Sequence, residues 1–284
     1  MREYRVINYE TLVEIASKEN NKYNTVILGH ENCPNFYIQS DVDKMIQYAL
    51  KNNLNVKVNI PVLFEDYLDF FKKEAERLLE MYQNVKLVLN DWGILSYLHK
   101  KYPEQKFCAG KGISFTYSDN PWNQHILMAE KEKYREALLA HNFENKETID
   151  ALKELGGDEV ELSDLAQSYN AYKHLKEAGF IVSINKKLSV VTMSRACHCL
   201  RFINKVSEMG SCIEFCNTSI KISIKKYFDM METELKSISE ETKKMQPDMF
   251  FHGNILFLEV EKCMTDFTYI DNIIDDERLQ IKEK

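Results

Sequence analysis

An α/β fold, read as an irregular or incomplete (β/α) barrel of the TIM type, follows from three observations. Short β-rich runs alternate with longer stretches of helical periodicity from residue 25 onward, five or six such units follow one another, and the alternation fades after about residue 190. Serial strand–helix–strand units need helical crossovers and therefore imply a parallel sheet. A closed barrel takes eight units in roughly 250 residues. The 284-residue chain has room for them within one domain, 1–284. The fading alternation marks the barrel as irregular or incomplete.

The elements are taken in order along the chain. Thr25–Leu28 (TVIL) is a short apolar run of the kind buried on both faces, and a helix follows near Asp41–Lys51. Val56–Ile60 (VKVNI) alternates like a strand, and Glu65–Tyr82 carries apolar residues at helical spacing. Val85–Leu89 is the next strand, Ile94–Lys101 a short helix, and Phe107–Cys108 the end of a fourth strand. Helical stretches over Gln124–Ala140 and Glu147–Leu155 lead to a fifth strand at Glu159–Leu162. Leu165–Glu177 predicts a helix and Phe180–Ile184 a sixth strand; Asp275–Lys284 is almost entirely charged and reads as a solvated helix end.

Composition narrows the function classes. With 44% hydrophobic and 11% aromatic residues the chain can bury a sizeable core. A formal charge of −7 argues against a generic grip on nucleic acid, although Lys221–Lys226 could form a local basic patch. The opening MREYRVINYE lacks the basic-then-apolar pattern of a secretion signal, and no stretch approaches the roughly 18 apolar residues of a membrane helix. A cytoplasmic protein without a membrane partner is expected. Phosphate-loop, dinucleotide, zinc-protease and serine-hydrolase motifs are absent from the sequence.

Seven cysteines, an odd count, do not suggest a disulfide framework in such a chain. Within the segment 195–217, Cys199, Cys212 and Cys216 are spaced C-x12-C-x3-C, Cys197 lies two residues earlier, and Cys33 sits far upstream. Thiolates are soft anionic ligands, and four of them can complete an iron–sulfur cluster or a zinc site. The bland alternative is a set of buried core cysteines, the reading that suits Cys108 and Cys263 in their apolar, strand-like surroundings.

Thr25–Cys33 (TVILGHENC), the C-x12-C-x3-C spacing, Leu89–Leu95 (LNDWGIL), Phe107–Gly110 (FCAG) and Glu159–Ser163 (EVELS) occur in that order. The ordered set resembles the oxygen-independent hydroxylase, UbiV-like branch of the collagenase-like peptidase family (peptidase family U-32). The resemblance implies a [4Fe-4S] cluster on Cys33, Cys199, Cys212 and Cys216, with zinc as the alternative metal. Cys199 is chosen over Cys197 because it alone reproduces the x12 interval. The resemblance further implies oxygen-independent hydroxylation of a small aromatic or heteroaromatic substrate, and a related family member as heterodimer partner. A non-catalytic partner subunit with a structural cluster or zinc, and a tailoring enzyme for a peptide or natural product, are the alternatives. The chain departs from the family at Asn185–Lys187, at Asp164 and in a longer segment between Gly110 and Glu161. No nucleophile–base pair supports peptidase activity.

Asp91 and Glu161 are the catalytic candidates, since polar residues at the C-terminal ends of barrel strands lie where such folds build active sites. For Asp91 the leading explanation is the cap of the following helix through its side-chain oxygen. Glu161, alternating with Val160 and Leu162, could position a substrate hydroxyl or proton. His30 and Glu31 could tune a cluster at Cys33, and His198 could replace a thiolate. Trp122 and His125 could line a substrate mouth. Lys111 could attract an anionic substrate, or simply be solvated.

Overall fold

The structure, a computed structural model, describes residues 1–6, 8–18, 21–115, 132–133, 137, 140–165, 168–186, 188–194, 197, 219–222, 249–259 and 266–276. Its barrel strands are β1 (Arg2–Val6), β2 (Thr25–Leu28), β3 (Asn55–Ile60), β4 (Val85–Leu89), β5 (Phe107–Ala109), β6 (Gly157–Ser163) and β7 (Ile181–Asn185). The chain then builds a separate four-stranded antiparallel sheet from β8 (Leu188–Met193), β9 (Ile220–Ile222), β10 (Met249–His252) and β11 (Ile255–Glu259), in the order β8-β11-β10-β9. It returns as β12 (Asn272–Asp275), which pairs in parallel with β7 on one side and β1 on the other. Eight parallel strands thereby close the barrel. The inserted sheet is what breaks the strand–helix alternation in the sequence, and it is the barrel's irregularity.

The crossovers carry α1 (Tyr9–Ala16), α2 (Pro34–Gln39), α3 (Val42–Lys51), α4 (Glu65–Met81), α5 (Trp92–Lys101), α6 (Lys146–Glu154) and α7 (Tyr169–Glu177). Several are closed off locally at their starts. Asn8, Asp41, Asp91 and Asn145 each accept N-terminal backbone N–H groups of the helix they precede, which satisfies donors the helix cannot use itself. Leu98, Leu78, Ile46, Leu12 and Leu175 are fully buried on the barrel-facing sides of their helices, packed with strand residues such as Val58, Leu87 and Val160. The predicted helix at 124–140 and the cysteine segment 198–216 lie outside the described residues, apart from a few positions in the former.

Strand side chains alternate between the helix layer and the lumen, and the lumen is where this barrel is unusual. Ile27, Val88, Cys108 and Ile274 come from β2, β4, β5 and β12 yet form one apolar cluster, so they meet across the interior. One side of this belt holds a buried ionic network. Lys57 Nζ donates to both carboxylate oxygens of Glu3 (2.7 and 2.8 Å) and also to Glu159, while Lys86 Nζ lies 3.1 Å from the other Glu159 oxygen. Ser183 Oγ donates to Glu159 at 2.6 Å and accepts from Asn272 Nδ2 at 2.9 Å. Burial opposes the charges on Lys57 and Glu159. Glu159 and Glu3 nonetheless keep Lys57 protonated, and Lys57 with Lys86 holds Glu159 down. Glu3 goes the other way: burial first, and then the Glu159 charge, push its carboxyl up to about 7 against the pull of Lys57.

Three elements at the ends of the chain were not foreseen. β1 reads Arg-Glu-Tyr-Arg-Val, and its charged residues Glu3 and Arg5 face the lumen while Tyr4 and Val6 join the helix-facing core. Nor were α1 and β12. The expected solvated tail is instead structured at its start: Asp275 ends β12, and the Asp276 side chain is fully buried.

Candidate functional site

The C-terminal ends of the strands converge on a buried charged cluster centred on Arg5, whose side chain is fully enclosed. Its Nη2 donates to Glu161 Oε2 at 2.7 Å, Nη1 lies 3.5 Å from Glu31 Oε1, and Nε lies 3.3 Å from Asp276 Oδ2. These partners come from β6, the loop after β2 and the residue after β12. Among the described residues, this one guanidinium stands between three enclosed carboxylates, in a site where charge interactions are strong. Glu161 Oε1, also buried, has no hydrogen-bond partner among the described residues. Arg5 therefore fixes one oxygen of this carboxylate and leaves the other to accept.

Asparagines frame the rest of the rim. Asn90 Nδ2 donates to Ile60 O (2.9 Å) and Asn59 Oδ1 (3.3 Å), while its own Oδ1 accepts Gly112 N–H at 3.1 Å. A Cβ at Gly110 or Gly112 would collide with Asn90, so these glycines let the turn after β5 settle onto it. Asp91 is committed to α5, accepting from Gly93 N (2.7 Å) and Ile94 N (3.2 Å). Lys111 is not solvated: it is 5% exposed and its Nζ donates to Ser163 Oγ at 3.0 Å. Asp164 is likewise fully buried beside the rim, its N–H donating to Asn185 O.

The proposed ligand Cys33 is a buried free thiol at the N-cap of α2. Its backbone N–H and that of Asn32 both donate to His30 Nδ1, at 3.2 and 3.3 Å. Accepting at Nδ1 places the proton of a neutral His30 on Nε2. His30 stacks on His252 with ring centroids 5.5 Å apart, and both rings are buried.

The β10–β11 hairpin, turning through Gly253 at a φ of 60°, ties this loop to Ser194 and meets Ser219, the described residues on either side of the cysteine segment. Asn254 Nδ2 donates to Asn32 O (2.7 Å) and Ser194 O (3.0 Å), and Asn32 Nδ2 donates to Ser194 O at 3.2 Å. Across the same hairpin His252 Nδ1 lies 3.4 Å from Ser219 Oγ. The chain next to Cys33, the chain three residues before Cys197 and the chain three residues after Cys216 thus all meet one hairpin. Cys197 is buried as well.

Cys199, Cys212, Cys216, His198, Cys263, Trp122 and His125 lie outside the described residues. Among the described residues no group of three or more His, Cys, Asp or Glu side chains is arranged to hold a metal ion. Cys108 lies fully buried in the luminal belt, where burial, and then Glu159 and Glu161, raise its thiol pKa and keep it protonated.

The structure thus brings Glu161 into the strand-end cluster and assigns Asp91 to a helix cap. Arg5, Asp276, His252 and Asn254 were not anticipated from the sequence. The hairpin had a signal, since Gly253-Asn254 sits between two apolar runs; Arg5 and Asp276 had none, because their partners are remote in sequence. No helix among the described residues is long and apolar enough to cross a membrane. Comparison of the chain with protein-family models, curated proteins and solved structures finds no match in any of the three.

Proposed function

We propose that this chain is an iron–sulfur protein that takes part in oxygen-independent hydroxylation of a small aromatic or heteroaromatic substrate. Cys33, Cys199, Cys212 and Cys216 would hold one [4Fe-4S] cluster, which when bound supplies electron transfer. The observation that carries this reading is the β10–β11 hairpin, to which the flanks of the early cysteine and of the later cysteine segment are both tied. Cys33 also suits a ligand chemically, as a buried free thiol within a polar, hydrogen-bonded loop. On the protein side Glu161 is the acceptor. Arg5 orients it, and its Oε1 could take a hydrogen bond from a substrate hydroxyl or ring N–H. A related family member remains the proposed partner, and the cytoplasm the proposed location.

Purification without air, followed by iron and acid-labile sulfide quantitation, tests the reading. About four of each per chain are expected, as for a cubane cluster, with loss in Cys33→Ala and Cys216→Ala. Full zinc occupancy in colourless protein, or an undiminished cluster in both variants, would overturn it.

The commitment of Asp91 to a helix cap favours one second reading, a non-catalytic subunit in which the cluster or a zinc staples the cysteine segment to the barrel. Turnover by the isolated chain separates the two: a loaded chain that turns over only with a related subunit, and does so unchanged as Glu161→Gln, fits the staple.

A further inference from the structure

The turn from His30 to Cys33 is held at two successive peptides, each gripped at both ends. Val62 N–H donates to Glu31 O at 2.9 Å, and Asn254 Nδ2 donates to Asn32 O at 2.7 Å. The N–H groups of the same two peptides, those of Asn32 and Cys33, converge on His30 Nδ1 at 3.3 and 3.2 Å. The His30 ring is buried, tilted against Phe36 at a centroid distance of 5.7 Å and stacked on His252. Packing therefore fixes the ring, and two donors fix its Nδ1 lone pair.

Asp91 and Asn145 likewise accept from the N–H groups two and three residues further on, but those groups open α5 and α6. At His30 the donors belong to the proposed ligand Cys33 and to the residue before it. Backbone N–H groups beside a cluster matter electrically. Hydrogen bonds to its sulfurs help set the reduction potential, because a donor stabilises the more negative, reduced state. The N–H of a ligating cysteine and that of its neighbour are natural donors of this kind, and here both are engaged by an imidazole. Without Nδ1 two buried donors would lose their acceptor, which is costly, and the anionic sulfurs that Cys33 brings to the turn would be left to receive them. As new bonds or as unscreened dipoles, they would favour the added electron.

We propose that His30 is a positioning residue that lowers the reduction potential of the centre held at Cys33, by engaging two backbone N–H groups that would otherwise serve its sulfurs. The inference rests on the cluster reading above and deepens it. It gives one named side chain a direction of effect on electron transfer.

Anaerobic potentiometric titration of the full chain, followed by EPR of the reduced protein and by iron and sulfide quantitation on the same samples, tests it. His30→Phe keeps a ring for the stack and removes the lone pair, so its potential should shift upward. His30→Asn, whose Oδ1 can accept both N–H groups, should return the wild-type potential. His30→Ala takes the place of His30→Phe if that variant does not fold. A potential unchanged or lowered without the acceptor, or no recovery in His30→Asn, would overturn the inference and leave the cluster reading standing. Loss of the cluster from both acceptor-less variants would make the histidine a structural part of the site, and overturns it as well. Wild-type protein free of iron and sulfide overturns both.

Discussion

Arg5 links the strand-end cluster among the described residues, because its guanidinium lies between three carboxylates that would otherwise repel one another out of reach of water. Removing one member of a buried ion network is costly mainly for the charges left behind, about 3–5 kcal/mol. Arg5→Met should therefore lower unfolding free energy in urea by that order. Adding Glu161→Gln to it should recover part of the loss, since one stranded charge disappears. A cost near that of an ordinary surface substitution, or no recovery in the double variant, would show that the guanidinium does not neutralise the cluster. Glu161→Gln alone keeps shape and removes charge, so it separates acceptor chemistry from packing.

At the scale of elements, α5 and the β10–β11 hairpin show how the same residue types serve local or tertiary ends. Asp91 accepts two N–H groups at the start of α5, and losing such a cap costs about 1 kcal/mol. Asp91→Ala should show that loss in thermal or urea unfolding, and Asp91→Ser, which can still cap, should largely restore it. Hydroxylation by a loaded chain that survives in Asp91→Ser would assign the residue to the helix; abolition in a stable serine variant would return it to the chemistry. Asn254 in the hairpin has no such local task, and its amide spans two backbone carbonyls from distant parts of the chain. That difference explains why the cap was legible in Asp91-Trp92-Gly93 and the clasp was not.

For the whole molecule, the luminal network of Glu3, Lys57, Lys86 and Glu159 couples stability to pH. Glu3 has its folded pKa raised from 4.5 to about 7. The folded state therefore binds a proton more tightly than the unfolded chain over that interval, and stability falls as pH rises from about 4.5 through 7. Glu159 is shifted the opposite way, so its contribution is present above about 4.5 and is lost as pH falls below that value. Urea unfolding across pH 5–8 should give a declining wild-type stability, of at most about 3 kcal/mol for one such shift. Glu3→Gln should flatten that slope. An equal slope in the variant would mean that another group carries it.

Much of the barrel was legible residue by residue. β2 and β4 are apolar runs whose limits match those expected, and β3, β6 and β7 extend the expected strands by a residue or two or shift by one. Helix-facing positions must be apolar whatever lies across the barrel, so their periodicity is written locally. The sequence by itself therefore determined the α/β class, the serial strand–helix units, and Glu161 as a polar residue at a strand end. Closure through β12, the inserted sheet and the cluster around Arg5 were decided only by tertiary structure. Arg5 and Glu161 are 156 residues apart, and a charged residue in a strand reads as surface until its partner is known. Burial of a charge is permitted by a counter-charge in space, and nearness in space is what a linear pattern does not record.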